Sequence, residues 1–142
     1  AEAMSARAIL FSCPPTFTPT GEHKSRITKF FAKVKRKHHV LVLELGGLWE
    51  ADDARALAAD VGVVLATDAL HDDDAQGGDV AYFRMRGPVT GRYRYDENDL
   101  DELRDRCALY DEAFVVFHGV EMWDDAKRFQ GRVAKSQDGD DE

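Results

Sequence analysis

Residues 39–45, with the sequence HVLVLEL, decide the fold class of this chain. The segment is β-branched and apolar without alternation, which is typical of a strand that is covered by helices on both faces. Gly46-Gly47 ends it, and Asp52 or Asp53 is expected to open a helix that turns Ala54, Leu57, Ala58 and Val61 inward. A second buried strand is predicted over 63–66, ending at Thr67-Asp68.

The segment before residue 39 repeats this strand–helix pattern. Residues 8–11 form a short apolar run that stops at Pro14-Pro15, because proline lacks the N–H that a strand ladder needs. Thr20 is placed to cap the helix that follows. We expect its inward stripe to consist of Ile27, Phe30, Phe31 and Val34.

The second half of the chain continues the alternation. Residues 70–79 are acidic and Gly-rich and are expected to form a loop, and strands are predicted over 81–85 and 113–117. Asp96 caps a helix between them, and another helix follows the last strand. Their predicted buried stripes are Leu100, Leu103, Cys107 and Tyr110 in the first helix and Met122, Ala126, Phe129 and Val133 in the second.

Parallel strands need crossovers of a dozen or more residues, so five strands with intervening helices predict an α/β fold. We expect a partial (β/α) barrel of the TIM type, with about five parallel strands and flanking helices. At 142 residues the chain is long enough for one sizeable core, and residues 135–142 form an acidic tail that we expect to be disordered.

Composition restricts the setting in which the protein acts. The net charge is -8, and the Asp-rich acidity suits either a halophilic source or an ordinary acidic cytosolic protein. No apolar run approaches the length of a membrane span and no secretory signal is recognisable at the N-terminus, so we expect a cytoplasmic protein without a membrane partner. Cys13 and Cys107 belong to no CxxC pair and are expected to be reduced thiols.

Several motifs occur in a recognisable order along the chain. They are the FSCPPTFTPT segment at 11–20, VLE at 42–44, ATD at 66–68, YFRMRG at 82–87, YRY at 93–95 and VVF at 115–117. Together they resemble the C-terminal portion of the YecE-like family, also called domain of unknown function 72, whose members look like TIM barrels. The resemblance implies a partial barrel domain over residues 1–134, and no established activity or cofactor comes with it.

The resemblance transfers unevenly to individual residues. Glu44, Asp68 and Arg84, together with Gly87, match family positions at strand ends. Arg86, however, replaces a histidine of the family pattern. Similarly, His118-Gly119 stands where the family commonly has two asparagines. These departures make an inherited reaction an open question, and the sequence does not disclose whether the protein is an enzyme.

Five strand-end residues form the strongest candidate site, because parallel strands bring their carboxyl ends to one rim. Arg84 and Arg86, with Asp68, are expected to bind a small anionic ligand, such as a phosphorylated or carboxylated compound. Glu44 or His118 would then serve as a general base in a hydrolase-like reaction. The alternative is that Glu44 pairs with one of the arginines and that nothing is catalysed.

The sequence contains three other candidate features, which are a metal site, a basic helix and a cysteine nucleophile. A metal site from Glu44, Asp68 and His118, with His71, has suitable O and N donors but no supporting local spacing, so no metal is assigned. The basic helix at 24–37 suggests a non-catalytic module that contacts nucleic acid, but a chain of this acidity repels nucleic acid and we do not expect that partner. Cys13 is interpreted as a packed thiol rather than a nucleophile.

A final expectation concerns self-association. A closed barrel has no sheet edges, whereas an open sheet of five strands has two. The apolar segments 9–11 and 114–117 would each lack a neighbouring strand on one side. We therefore expect self-association of copies through these open edges, repacking into a smaller open sheet, or low stability compared with a full-length relative.

Overall fold

A computed structural model describes residues 6–46, 49–72, 77–86 and 94–140 of the chain, with the side chains of 136–140 excepted. The chain divides into two compact units, and the division falls between Ala66 and Thr67. Strands and helices alternate through both units. The exception is the pair of strands Val64–Thr67 and Gly78–Met85, which have no helix in the described residues between them. The α/β class, with five strands, parallel pairing and flanking helices, is therefore confirmed.

The first unit is a three-stranded parallel sheet with two crossover helices. Its strands follow the sequential order expected of a (β/α) barrel, and β1 pairs with β2 from Ala8↔Val40 to Ser12↔Glu44. The predicted inward residues of the second helix are all buried. In order, the elements are β1 (Ala8–Ser12), α1 (Gly21–Lys33), β2 (Val40–Glu44), α2 (Ala51–Val61) and β3 (Val64–Thr67).

Local signals explain where these helices begin and end. The Thr20 side chain accepts a hydrogen bond from the backbone N–H of His23, as expected of an N-cap. Helix α2 begins slightly earlier than predicted, with Glu50 rather than Asp52 or Asp53 preceding its first residue. It ends at Gly62, whose φ of 69° lies in the left-handed region that glycine adopts without strain.

One predicted core residue of α1 is not buried. Ile27 and Phe31 pack against the sheet, but Phe30 is 47% exposed. The reason is geometric: Phe30 lies at the flank of the apolar stripe, beside the strand β1 that ends the strand order of this unit. Its ring stands edge-on to that of Phe11, with 5.4 Å between centroids.

The second unit pairs two strands and packs two helices against them. Strand β4 runs parallel to β5 with a register from Gly78↔Tyr110 to Met85↔Phe117. Leu100, Leu103 and Phe129 reach the core of this unit from the helices. The elements are β4 (Gly78–Met85), α3 (Glu97–Cys107), β5 (Tyr110–Phe117) and α4 (Met122–Asp140).

The structure differs from the sequence-based expectation at several places in this unit. Strand β4 begins at Gly78, so it includes the end of the segment 70–79 that was expected to be a loop, and residues 73–76 of that segment lie outside the described residues. Tyr110 begins β5 instead of extending the stripe of α3. Met122 is 51% exposed, because it occupies the first turn of α4, at the edge of the packed face. The backbone of α4 remains helical to Asp140, through most of the segment 135–142 that was expected to be disordered, and residues 141–142 lie outside the described residues.

Asp96 caps α3 through a reciprocal pair of hydrogen bonds. Its side chain accepts from the backbone N–H of Asp99 at 2.8 Å, and the Asp99 side chain accepts from the backbone N–H of Asp96 at 3.0 Å. This capping box satisfies donors that the first helical turn leaves without partners. The carboxylates also face the positive end of the helix dipole.

The edge strands β1 and β5 are the features of this fold that favour self-association. Within the described residues, β1 is bonded to β2 alone and β5 to β4 alone, so each presents unpaired backbone groups. We expect the sedimentation coefficient to rise with protein concentration, and β1 and β5 to exchange amide hydrogens faster than β2. Val116→Lys, on the exposed face of β5, should reduce association, whereas Ala32→Lys on α1 should not. A monomer at all concentrations, with equally slow exchange in the three strands, would contradict this expectation.

Candidate functional site

Asp68 is the structural centre of the candidate site. It directly follows β3 and is only 1% exposed. One carboxylate oxygen, Oδ1, accepts from the Leu70 backbone N–H at 3.1 Å and lies 3.2 Å from Nδ1 of His71, while Oδ2 accepts from the Arg86 backbone N–H at 3.1 Å. Both oxygens are therefore occupied in joining the turn after β3 to the residue after β4. Asp68 positions the site rather than offering a free carboxylate to a ligand.

Asp72 closes the same turn from the other side. Its Oδ2 accepts from the Asp68 backbone N–H at 2.7 Å, and its own backbone N–H donates to the Asp68 carbonyl at 2.8 Å. The same Oδ2 lies 3.4 Å from Nη2 of Arg86. Because both side chains of this ion pair are nearly half exposed, solvent screens the attraction and the pair is weak.

Adjacent strand ends bring Arg86 and His118 together. Met85 pairs with Phe117 in the strand register, and the His118 backbone N–H donates to the Met85 carbonyl at 3.0 Å. Arg86 and His118 are therefore the first residues beyond two neighbouring strands, and both are exposed. The expected grouping of Asp68, Arg86 and His118 at the carboxyl ends of the strands is observed.

The remaining predicted site residues have different surroundings. Arg84 lies within β4, half-buried and in register with Val116. Glu44 belongs to the first unit, where it ends β2 and accepts a hydrogen bond from Oγ of Ser12 at 2.9 Å. Gly87, which shares the strand-end motif with Arg84, lies outside the described residues.

We refer to Asp68, His71, Asp72, Arg86 and His118 as the rim cluster. Asp68 and Asp72 accept hydrogen bonds from backbone N–H groups, and Asp72 also pairs with the Arg86 guanidinium. Arg86 and His118 are exposed, so both side chains are accessible to an anion in solvent. Within the described parts of the chain, no three His, Cys, Asp or Glu side chains are placed to hold a metal ion, and the hypothetical metal ligand His71 pairs with Asp68.

Several basic residues of the segment 24–37 are paired with other groups of the chain. Arg36, just after α1, donates through its guanidinium to the carbonyls of Val61 and Gly62, so it neutralises the negative end of α2. Arg26 forms an ion pair with Glu22, and Lys24 lies 3.9 Å from an Asp53 oxygen. Several of the cations proposed for nucleic-acid contact therefore already have partners within the first unit.

The two cysteines behave as buried thiols. Both are free and half-buried. Burial raises the pKa of the Cys107 thiol to about 11, and burial also raises the pKa of Cys13 above its ordinary value. Neutral thiols of this kind are poor nucleophiles, which fits the interpretation of both residues as packing groups.

Sequence reasoning missed a second buried carboxylate, Asp125 of α4, which is 2% exposed. Burial raises the pKa of Asp125, and the Tyr95 backbone N–H and the Arg128 charge oppose that shift. Arg128 lies 3.4 Å from Asp125 and also donates to the Tyr95 carbonyl at 2.7 Å. Its spacing in the sequence indicates this burial. Asp125 lies four residues before Phe129, so both residues lie on the inward face of the helix.

Comparison with models of known families, with curated proteins and with solved structures finds no match to this chain. The resemblance to the YecE-like family therefore depends on the sequence motifs alone. None of the helices in the described residues is both long and apolar enough to cross a bilayer.

Replacing Asp68 tests whether its carboxylate holds the rim cluster together. Asp68→Ala leaves the Leu70 and Arg86 backbone N–H groups without their acceptor, and we expect unfolding free energy to fall by roughly 2–4 kcal/mol. Asp68→Asn retains one acceptor oxygen and should cost less. Asp79→Ala, at an exposed position of β4, is the matched control in urea denaturation. Equal stability of Asp68→Ala and the control would show that the carboxylate does not have this role.

Asp125 should leave a signature in the pH dependence of stability. Its folded-state pKa is raised, so the folded chain binds a proton more tightly than the unfolded chain at this site. The contribution of Asp125 to stability therefore grows as pH falls through the raised pKa and is complete below the ordinary pKa. Asp125→Asn removes this contribution.

The measurement is urea denaturation of both proteins between about pH 7 and about pH 3. Relative to the wild type, the variant should become progressively less stable as the solution is acidified. Exposed Asp105→Asn, on α3, should show no such trend. A wild-type minus variant difference that is constant with pH would contradict the assigned pKa direction.

Proposed function

We propose that the rim cluster binds a small anionic ligand through Arg86 and His118, with Arg84 contributing positive charge from within β4. One observation supports the proposal. The Arg86 backbone N–H donates to Asp68 and the His118 backbone N–H donates to Met85, so both residues are fixed at adjacent strand ends. Their basic side chains are exposed there. The ligand class is a phosphate or carboxylate group, because a guanidinium presents paired donors that match these oxyanions.

The Asp72 carboxylate is the natural competitor for this anion. It lies 3.4 Å from the Arg86 guanidinium in a largely solvated pair, so a ligand oxygen can replace it at small cost. Backbone hydrogen bonds hold Asp72 in place, which keeps a negative charge at the site in the absence of ligand. This charge lowers the affinity for any anion that leaves Asp72 paired with Arg86.

Binding, rather than proton transfer, is the function that these contacts support. Glu44, one of the two general-base candidates, is bonded to Ser12 in the first unit, and His118 is the candidate that remains in the rim cluster. We therefore propose that the chain is a ligand-binding protein of the YecE-like family. We also propose that it acts in the cytoplasm, where its two free thiols stay reduced.

Titration with inorganic phosphate, followed by calorimetry, tests the anion site. Arg86→Gln should weaken binding by roughly ten- to a hundredfold, since a charge-assisted hydrogen bond contributes about 1.5–3 kcal/mol. Asp72→Asn should strengthen binding, because it removes the competing charge while retaining an acceptor for the Asp68 N–H. Arg84→Gln should weaken it less than Arg86→Gln.

Lys135→Gln is the matched control, because it removes one exposed positive charge from the same unit at the far part of α4. It should leave phosphate affinity unchanged at moderate salt. If Arg86→Gln and Lys135→Gln have the same effect, phosphate responds only to net charge and the proposed site does not exist.

A further inference from the structure

The first unit contains a cavity of about 220 Å³ beside α1, separate from every residue of the rim cluster. Side chains from β1, the loop after it, α1 and β2 line the cavity. Its walls are aromatic and aliphatic, and they are formed chiefly by Phe11, Phe17, Ile27, Phe30, Phe31 and Leu43.

The size and chemistry of this cavity favour an organic ligand over water. The cavity opens to solvent, but its apolar walls offer few hydrogen-bond partners to the water that enters it. A volume of about 220 Å³ accommodates one six-membered ring with a short side chain.

The aromatic walls are arranged to receive another ring. Phe11 makes edge-to-face contacts with Phe30 at 5.4 Å and with Phe31 at 5.3 Å between centroids. Phe17, which also lines the cavity, stacks on His23 at 4.5 Å and on Trp49 at 6.2 Å between centroids. Phe30 is 47% exposed although it belongs to the apolar stripe, so a bound ring would cover an aromatic surface that the described fold leaves in water.

Charge specifies which end of the ligand faces outward. Arg26 is the charged residue in the lining, and Cys13 supplies a thiol that burial keeps neutral. The Arg26 guanidinium lies 2.6 Å from Glu22, but the two side chains are 66% and 71% exposed. An ion pair so accessible to solvent contributes little, so the carboxylate of a ligand can take the place of Glu22.

We propose that this cavity binds a small aromatic carboxylate, with the ring against the side chains of Phe11, Phe17 and Phe30 and the carboxylate on Arg26. Burial of the ring supplies most of the affinity through removal of apolar surface from water. Arg26 supplies the preference for an anion over a neutral compound of the same shape. The inference is independent of the anion site at the rim cluster.

The test uses 3-phenylpropanoate and its neutral counterpart 3-phenylpropanamide as probes of the full chain, with affinity measured by calorimetry. We expect saturable one-to-one binding of both, with the carboxylate tighter than the amide. A second readout is alkylation of Cys13, which the carboxylate should slow at a pH high enough to form thiolate. Cys107→Ser removes the other thiol from that measurement.

Variants separate the contribution of the ring from that of the charge. Arg26→Gln should weaken the carboxylate by roughly three- to tenfold and leave the amide unchanged. Glu22→Gln should tighten the carboxylate by up to about fivefold, because it removes the competing anion. Phe30→Ala should weaken both probes, and Lys29→Gln, an exposed charge change on the same helix, should alter neither.

Three results would overturn the proposal. The first is the absence of saturable binding by either probe, and the second is equal affinity of the wild type for carboxylate and amide. The third is a concentration-dependent dimer that Phe30→Ala dissociates and that excludes both probes, since a second copy would then occupy this surface. Thermal unfolding of each variant confirms that the comparison is made between folded proteins.

Discussion

Parallel pairing of strands is the constraint on which the rest of this structure depends. Two neighbouring parallel strands cannot be joined by a tight turn, so the chain needs a longer crossover, which is a helix between β1 and β2, between β2 and β3 and between β4 and β5. In the first unit this requirement produces the core between α1, α2 and the sheet, and in the second it places α3 against β4 and β5. It also aligns the carboxyl ends of paired strands, which is why residues distant in sequence, such as Arg86 and His118, become neighbours.

Two buried carboxylates show how differently the same chemical group can be accommodated. Asp68 has both oxygens occupied by nitrogen donors, two of them backbone N–H groups, so its burial secures a turn and the end of a strand. Asp125 has a guanidinium and a backbone N–H nearby, yet burial still raises its pKa. The donors also differ in kind, because backbone N–H groups at 3.1 Å hold Asp68, whereas the guanidinium of Arg128 lies 3.4 Å from Asp125.

The two proposed ligand sites use contrasting physics within one chain. The rim cluster is polar and solvated, so its selectivity comes from the orientation of charged donors and its affinity falls as salt screens them. The cavity beside α1 is apolar, so its affinity comes from displaced water and its selectivity from shape, with Arg26 adding a preference for an anion. Different elements form the two sites, and the sites have no residue in common.

The sequence by itself determined the order and type of the elements, since unbroken apolar runs, helical stripes and caps such as Thr20 and Asp96 act over a few residues. It also predicted that five strand-end residues would lie at one rim, because strand ends align in parallel pairing. Of these, Arg86 and His118 follow adjacent strands and Asp68 is bonded to the Arg86 backbone, whereas Arg84 lies within β4 and Glu44 in the first unit. Only the tertiary structure decided that Asp68 is committed to backbone donors, that Arg36 caps α2, and that Phe30 remains exposed. Those outcomes depend on contacts between segments remote in sequence, and no local pattern encodes the distance between their atoms.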